Sequence, residues 1–350
     1  MEYLFSEVRD LKTQEKRFRF LFLGILLLSL MSARYIGDAG YSGPELVNDP
    51  SQIAITPTCL DRGDIPDSEY HWLYFPATAD EMATQEYYGF LAGQLIRTGV
   101  VDASDCPLNG VWPTGYANAC GLEKTEEIVF TLQNIYDDEI LQVAREIGVP
   151  PLMLKQLIRY ESQFWPTRFG TYHFGLGHLT LVGASNAIQW NPELYNQLCT
   201  IVYNGPCPQS YNQTYLGFDN LLSGQLLNLM DTSCPECEYK FDVEKAENSI
   251  YYIGQSLMSY CKQTSQIVYN VTGQHSSFAV DYATIWRLTL LNYNAGPTCV
   301  YNALDAAYTP TTEELSWSVI AANITGSVCE IGLDYVNNIT SQYYTFTPPQ

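Results

Sequence analysis

Apolar residues recur every three or four positions along much of this chain, which is the spacing of one face of an α-helix. This spacing predicts a mainly α protein. The segments in which it predicts helices are residues 77–99, 125–147, 149–165, the part of 182–199 that precedes Trp190, 218–230, 242–257, 281–292 and 319–339.

The segment from Val149 to Pro166 contains signals for both ends of one helix. Two prolines after Val149 suit the first turn, where a missing N–H costs no hydrogen bond, and Pro166 disfavours helical geometry at Trp165. Glu161 lies on the apolar face of this helix. Because burial disfavours the charged form of a carboxylate, the pKa of Glu161 should rise, as a general acid near neutral pH requires. The apolar face consists of Met153, Leu154, Leu157, Ile158, Tyr160 and Phe164.

The N-terminal segment predicts export. A basic lead-in is followed by an apolar run at residues 20–33. This length suits the core of a signal peptide better than a bilayer span of about twenty residues, and an uncleaved anchor is the alternative. We therefore divide the chain into a signal peptide or membrane anchor (residues 1–34), an N-terminal linker and small helical region (35–124) and a larger helical domain (125–345).

The charge of the chain excludes one class of partner. The formal net charge is −21 at pH 7, and the sequence pI is about 4.4. Binding to nucleic acid through its phosphates needs clustered Lys and Arg. We therefore expect no nucleic-acid partner.

The ten cysteines indicate several disulfides and an oxidising, extracytoplasmic compartment. Close neighbours such as Cys106 with Cys120, or Cys199 with Cys207, are candidate pairs, but the connectivity stays open. The Cys-x-x-Cys at residues 234–237 has the spacing of metal ligands, yet no second pair or His cluster completes four ligands. We therefore predict no metal site.

Three stretches resemble one enzyme family, in the order in which that family has them. Residues 161–164 (Glu-Ser-Gln-Phe), followed closely by a proline, resemble the catalytic Glu-Ser-x-Phe signature of the soluble lytic transglycosylases. Residues 175–179 (Gly-Leu-Gly-His-Leu) stand where the family has Gly-Leu-Met-Gln-Leu, and residues 293–296 match its Tyr-Asn-Ala-Gly motif. The resemblance covers roughly residues 137–339.

This resemblance implies a lysozyme-like helical domain over residues 125–345, preceded by the small helical, disulfide-pinned N-terminal region. It implies cleavage of the β-1,4 bond between N-acetylmuramic acid and N-acetylglucosamine in peptidoglycan glycan strands, with formation of 1,6-anhydro ends. Glu161 would be the single acid and base, with no cofactor. The residues implied to hold Glu161 or to line the substrate groove are Ser162, Phe164, Gly175, His178, Tyr293 and Asn294.

The chain departs from the family pattern at several positions. His178 replaces the family's Gln, and Gly177 replaces its Met. Tyr335 and the following valine resemble a late Tyr-Val of the family, but the Glu expected four residues before that Tyr is displaced by one place, to Glu330. These departures bear on how substrate is held.

Other functions fit parts of the sequence. A lysozyme-type hydrolase of the same bond would need a second carboxylate to activate water, for which Glu193 is one candidate. A non-catalytic glycan-binding module would not need a desolvated carboxylate such as Glu161. A disulfide-rich structural surface protein is favoured only by the Tyr, Asn and Cys content. We expect the transglycosylase.

Overall fold

The computed structural model describes residue 59 and residues 70–166, 173–203, 205–208, 211, 218–309 and 315–341. All of these belong to one compact unit, residues 49–350. The predicted signal or anchor segment at residues 20–33 lies outside the described residues. Within the described part of the chain, no helix has the length and apolar character needed to cross a bilayer.

The described residues are mainly helical, as predicted, and contain no β-strand beyond isolated bridges. Short 3₁₀ turns also occur, among them His71–Leu73, Ala79–Met82 and Pro107–Gly110. The α-helices are α1 (Gly89–Arg97), α2 (Ala119–Leu132), α3 (Asp137–Ile147), α4 (Pro151–Ser162), α5 (Leu181–Gln189), α6 (Pro192–Val202), α7 (Phe218–Met230), α8 (Val243–Thr272), α9 (Ser276–Ala279), α10 (Tyr282–Ala295), α11 (Pro297–Ala307), α12 (Trp317–Ala322) and α13 (Ser327–Thr340).

The long helix α8 is the centre of the packing. It begins where the Asp242 carboxylate accepts a hydrogen bond from the Lys245 N–H, and it ends at Gly273 in the left-handed conformation. Helices α3, α5, α7, α10 and α11 all contact it. Gly254 permits the close approach of α3, because a Cβ there would lie 2.9 Å from Cγ1 of Val143. Of the helices that carry the candidate site, α10 packs directly on α8, whereas α13 packs on α10 and α4 packs on α3 and α13.

Helix α4 ends earlier than predicted. It stops at Ser162 and not at Trp165, because Gln163 and Phe164 both adopt left-handed backbone conformations, with φ of 48° and 63°. Such φ values cost a non-glycine residue about 1 kcal/mol or more. The turn is held by Oε1 of Gln163, which accepts a 2.8 Å hydrogen bond from the Phe90 N–H. This bond joins α1 to the turn after Glu161.

The helix predicted over residues 77–99 is divided into a 3₁₀ turn and α1. The backbone between them is bound by side chains: the Thr84 N–H donates to Asn134, and the Glu86 N–H donates to Gln133. These bonds replace the helical hydrogen bonds that propensity favours. The domain boundary predicted at residues 124/125 falls inside α2, so no linker separates the two regions at that point.

A buried ion pair fixes α4 to its neighbours. Nζ of Lys155 lies 2.7 Å from the Asp137 carboxylate of α3, and the Lys155 side chain is 1% exposed. The same ammonium donates to the Met82 carbonyl and to Asn134. The charge of Lys155 is therefore compensated on three sides, and α4 is tied to both α3 and the N-terminal region.

All ten cysteines form disulfides. The candidate pairs Cys106–Cys120 and Cys199–Cys207 are confirmed. Because the Cys-x-x-Cys pair is itself a disulfide, its sulfurs are not thiolate ligands. The complete set is Cys59–Cys261, Cys106–Cys120, Cys199–Cys207, Cys234–Cys237 and Cys299–Cys329. Such a set is typical of an oxidising, extracytoplasmic environment.

Candidate active site

Glu161 lies in the last turn of α4, with 17% of its side chain exposed. Its Oε1 accepts a 2.7 Å hydrogen bond from the phenol of Tyr335 in α13. Burial raises the pKa of Glu161 to about 7, although the bond from Tyr335 acts in the opposite direction. Glu161 is therefore a carboxylic acid that reaches solvent and can still be protonated near neutral pH.

The packing of α13 on α10 brings Tyr335 to this position. Gly332, three residues earlier on α13, has no room for a side chain, since a Cβ would lie 2.6 Å from Cβ of Ala295 and 2.7 Å from Leu291. The absence of a side chain there lets the two helices approach closely. Tyr335 is then buried with its hydroxyl directed at the carboxyl group of Glu161.

His178 faces the other carboxyl oxygen. Its Nδ1 lies 3.8 Å from Oε2 of Glu161, which is longer than a direct hydrogen bond. Burial, assisted by nearby His173, lowers the pKa of His178 to about 4. The imidazole is therefore neutral near pH 7, and the contact with Glu161 is not an ion pair.

Tyr293, at the end of α10, supports the loop that carries His178. Its hydroxyl donates a 2.7 Å hydrogen bond to the Gly177 carbonyl. A Cβ on Gly177 would lie 3.1 Å from both that hydroxyl and Cγ1 of Ile253. The Tyr293 hydroxyl therefore occupies the space into which a side chain at residue 177 would extend. The structure thus brings Glu161, His178 and Tyr293 together around one loop.

The other predicted site residues have different surroundings. The Ser162 hydroxyl donates to the Ile158 carbonyl of its own helix, and the side chain is 1% exposed, so Tyr335 and not Ser162 holds Glu161. Phe164 is fully buried, with its ring 5.6 Å from that of Tyr88, and it packs in the core and does not line a groove.

Gly175 and Asn294 flank the central group. Gly175 has a φ of 66°, and a Cβ there would lie 3.0 Å from the Met230 carbonyl oxygen, so the residue allows the loop to turn against α7. Asn294 is exposed and directly follows Tyr293. Of these two residues, Asn294 can offer its amide to a ligand.

Two tyrosines without a predicted role complete the site. Tyr335 is the first, and its only sequence signal was the late Tyr-Val resemblance. Tyr160 is the second: it precedes Glu161, is 43% exposed and packs edge-to-face on Tyr335 with ring centroids 5.0 Å apart. An exposed tyrosine ring beside an acid gives a surface on which a sugar ring can stack.

Comparison of the chain with models of known protein families, with curated proteins and with solved structures finds no match. The geometry of the site and the motifs of the sequence therefore carry the functional argument.

Proposed function

We propose that this protein is an exported lytic transglycosylase that cleaves the β-1,4 bond between N-acetylmuramic acid and N-acetylglucosamine in peptidoglycan. The observation that carries the proposal is the state of Glu161. Its pKa is raised to about 7, one carboxyl oxygen is held by Tyr335, and the side chain still reaches solvent. This is the arrangement that a general acid working near neutral pH requires.

The two carboxyl oxygens of Glu161 have different roles in this proposal. Oε1 is occupied by the Tyr335 hydroxyl, whereas Oε2 accepts no hydrogen bond from a described residue. Protonated Oε2 gives its proton to the glycosidic oxygen, and the bond from that oxygen to the muramyl C1 breaks. The substrate's own N-acetyl group stabilises the positive charge that develops on the sugar.

The second half of the reaction returns Glu161 to its starting state. The ionised carboxylate removes the proton from the muramyl C6 hydroxyl, and the C6 oxygen bonds to C1 to close the 1,6-anhydro ring. Tyr335 stabilises the carboxylate between the two steps, because its hydroxyl donates to Oε1. No water enters the product.

A single carboxylate is enough for this route. Burial and the bond from Tyr335 account for the shifted pKa of Glu161, and no other carboxylate of the described residues contributes to it. Glu193, the candidate second carboxylate, lies in the first turn of α6. Burial lowers the pKa of Lys262, and the charge of Glu193 opposes this shift. A hydrolase that activates water with a base would need a second carboxylate facing the same sugar.

The proposal also includes the fold family of the helical domain and the compartment in which the protein works. We infer that the helices around α8 form a lysozyme-like domain, with α4 supplying the acid and α10 and α13 supplying the tyrosines. Five disulfides support an oxidising compartment outside the cytoplasm. Residues 20–33 would direct export or serve as an anchor.

The test is digestion of peptidoglycan by the purified protein, with the released fragments weighed by mass spectrometry. We expect products one water lighter than hydrolytic products, and none with Glu161→Gln. The matched control is Glu139→Gln: burial also raises the pKa of Glu139, but it lies on α3. This control variant should release the same peptidoglycan fragments as the wild type.

Other outcomes would reject the proposal. Products with ordinary reducing ends would establish a hydrolase and imply a second carboxylate. Unchanged cutting by Glu161→Gln would remove Glu161 from the chemistry. No release from several wall preparations would favour a glycan-binding module.

A further inference from the structure

A cavity of about 510 Å³ lies beside the N-terminal half of α8, and none of the candidate active-site residues line it. Its volume is within the range of sites that bind small molecules. Two aromatic rings, several polar groups and one cation surround it. The lining residues are Asn228, Leu229, Asp231, Ser233, Lys245, Asn248, Tyr251 and Tyr252.

The neutral lining matches a sugar ring. Tyr251 and Tyr252 are half-buried, with ring centroids 5.5 Å apart and the rings nearly perpendicular. Tyrosine rings combine an apolar face with a polar edge, as do pyranose rings. The exposed amides of Asn228 and Asn248 provide donors and acceptors for sugar hydroxyls, and the hydroxyl oxygen of Ser233 provides a further acceptor.

Lys245 adds a charge that a neutral sugar does not need. Its side chain is exposed and forms no ion pair with any carboxylate of the described residues. Asp231, which also lines the cavity, accepts instead from the N–H and the hydroxyl of Ser233, at 3.1 and 2.6 Å. The cavity lining thus carries one positive charge, on Lys245, that is outside any ion pair of the described residues, and one negative charge, on Asp231, that is hydrogen-bonded to Ser233.

The cavity borders residues that support the active-site loop. Leu229 and Tyr252 line the cavity, and the residue after each of them contacts a loop glycine. Met230 packs against Gly175, and Ile253 packs against Gly177. A glycan bound in the cavity would therefore contact α7 and α8, the same two helices that support the loop whose His178 faces Glu161.

We propose that this cavity binds a carboxylated sugar, with the ring against Tyr251 and Tyr252 and the carboxylate on Lys245. The inference rests on the proposed function only in the choice of sugar. N-acetylmuramic acid carries a carboxylate on its lactyl ether, and N-acetylglucosamine has the same ring without it. The cavity would thus distinguish the two sugars of a glycan strand and set its register beside the active site.

The test measures binding of these two monosaccharides to the Glu161→Gln protein by NMR titration. We expect N-acetylmuramic acid to bind about tenfold more tightly than N-acetylglucosamine, because a charge-assisted hydrogen bond to Lys245 adds to the shared ring contacts. Lys245→Gln should reduce this ratio to about one. Tyr251→Ala should weaken the binding of both sugars.

The matched control is Lys124→Gln, which removes the same charge from an exposed lysine on α2 that is paired with Asp105. It should leave the tenfold ratio unchanged. Equal binding of the two sugars, or a ratio that survives Lys245→Gln, would overturn the inference. Since the Lys245 side chain is exposed, this variant should fold normally.

The two proposals fail separately. The binding assay uses protein without the acid, whereas the proposed function is tested by the mass of the fragments that the wild type releases. If the wild type releases fragments one water lighter than hydrolytic products, but the preference for N-acetylmuramic acid does not depend on Lys245, only the proposal for the cavity is rejected. If N-acetylmuramic acid is preferred through Lys245 but the wild type releases no fragments, only the proposed transglycosylase activity is rejected.

Discussion

The phenol of Tyr335 donates a 2.7 Å hydrogen bond to Oε1 of Glu161, although 174 residues separate them in the chain. This bond favours the ionised form of the carboxyl group, while burial favours the protonated form. The balance places the pKa of Glu161 where one group can both donate and recover a proton.

Tyr335→Phe should lower kcat by about 10- to 100-fold, because a hydrogen bond to a charged group contributes about 1.5–3 kcal/mol. It should also raise the pKa of Glu161, so that the alkaline limb of the pH–rate profile moves to higher pH. The measurement is the release of peptidoglycan fragments as a function of pH.

The control for Tyr335→Phe is Tyr293→Phe. Tyr293 donates to Gly177 and not to Glu161, so its loss should reduce the rate without moving the alkaline limb. If both variants shift the limb equally, Tyr335 has no special role in setting the pKa of Glu161.

Glu161→Gln should stabilise the protein at pH 8 and have little effect at pH 4. The unfolded chain releases the Glu161 proton near 4.5 and the folded chain near 7, so stability is lost as the pH rises through this window. Above this window the wild type has lost about 3 kcal/mol of its free energy of unfolding, which corresponds to about 5 °C in melting temperature. Thermal unfolding at the two pH values measures it, and an equal gain at both would contradict the assignment.

His178→Gln should retain activity to within about threefold near pH 7. Burial lowers the pKa of His178 to about 4, so the wild-type imidazole is neutral and, like a glutamine amide, both donates and accepts hydrogen bonds. NMR titration of the imidazole should show protonation near pH 4 and none near pH 6.5. A loss of activity that follows protonation near pH 6.5 would show that the imidazolium form is present at the site.

Gly177→Ala should reduce activity and stability, because the new Cβ would meet the Tyr293 hydroxyl and Ile253 at 3.1 Å. The loop would have to move, and His178 with it. Gly224→Ala is the matched control: it lies in α7 with nothing within 4 Å of its Cβ position, and it should stabilise the helix by up to about 1 kcal/mol. Rates and melting temperatures of the two variants test this prediction.

Lys155→Met should destabilise the protein by about 3–5 kcal/mol, since it leaves Asp137 buried without its partner. The double variant Lys155→Met, Asp137→Leu removes both charges and should recover much of that loss. Denaturant unfolding measures both. A double variant no more stable than the single one would show that the contacts of Lys155 with Met82 and Asn134 dominate.

Local signals in the sequence predicted much of the fold. The apolar spacing predicts a helix over residues 218–230, and α7 begins and ends at these residues. Asp242 and Asp281, the first residues of two other predicted helices, are the N-caps of α8 and α10. These features depend on residues within one or two turns of each other. The predicted acid, Glu161, likewise lies on the apolar face of the predicted helix.

Features that depend on distant residues could not be read from the sequence. Nothing local links Tyr335 to Glu161 or Cys59 to Cys261. The backbone on either side of residue 85 pairs with side chains of Gln133 and Asn134, so the predicted helix there is interrupted. In these places tertiary contacts outweigh local propensity.

The disulfide between Cys299 and Cys329 joins α11 to α13. Cys299 follows the segment that carries Tyr293, and Cys329 lies in the first turn of the helix that presents Tyr335 to Glu161. In a reducing compartment the chain would lack this covalent link between the two segments that complete the site. Under the proposed function, the segments that carry Tyr293 and Tyr335 would become covalently linked only after export, in the same oxidising compartment that holds the substrate.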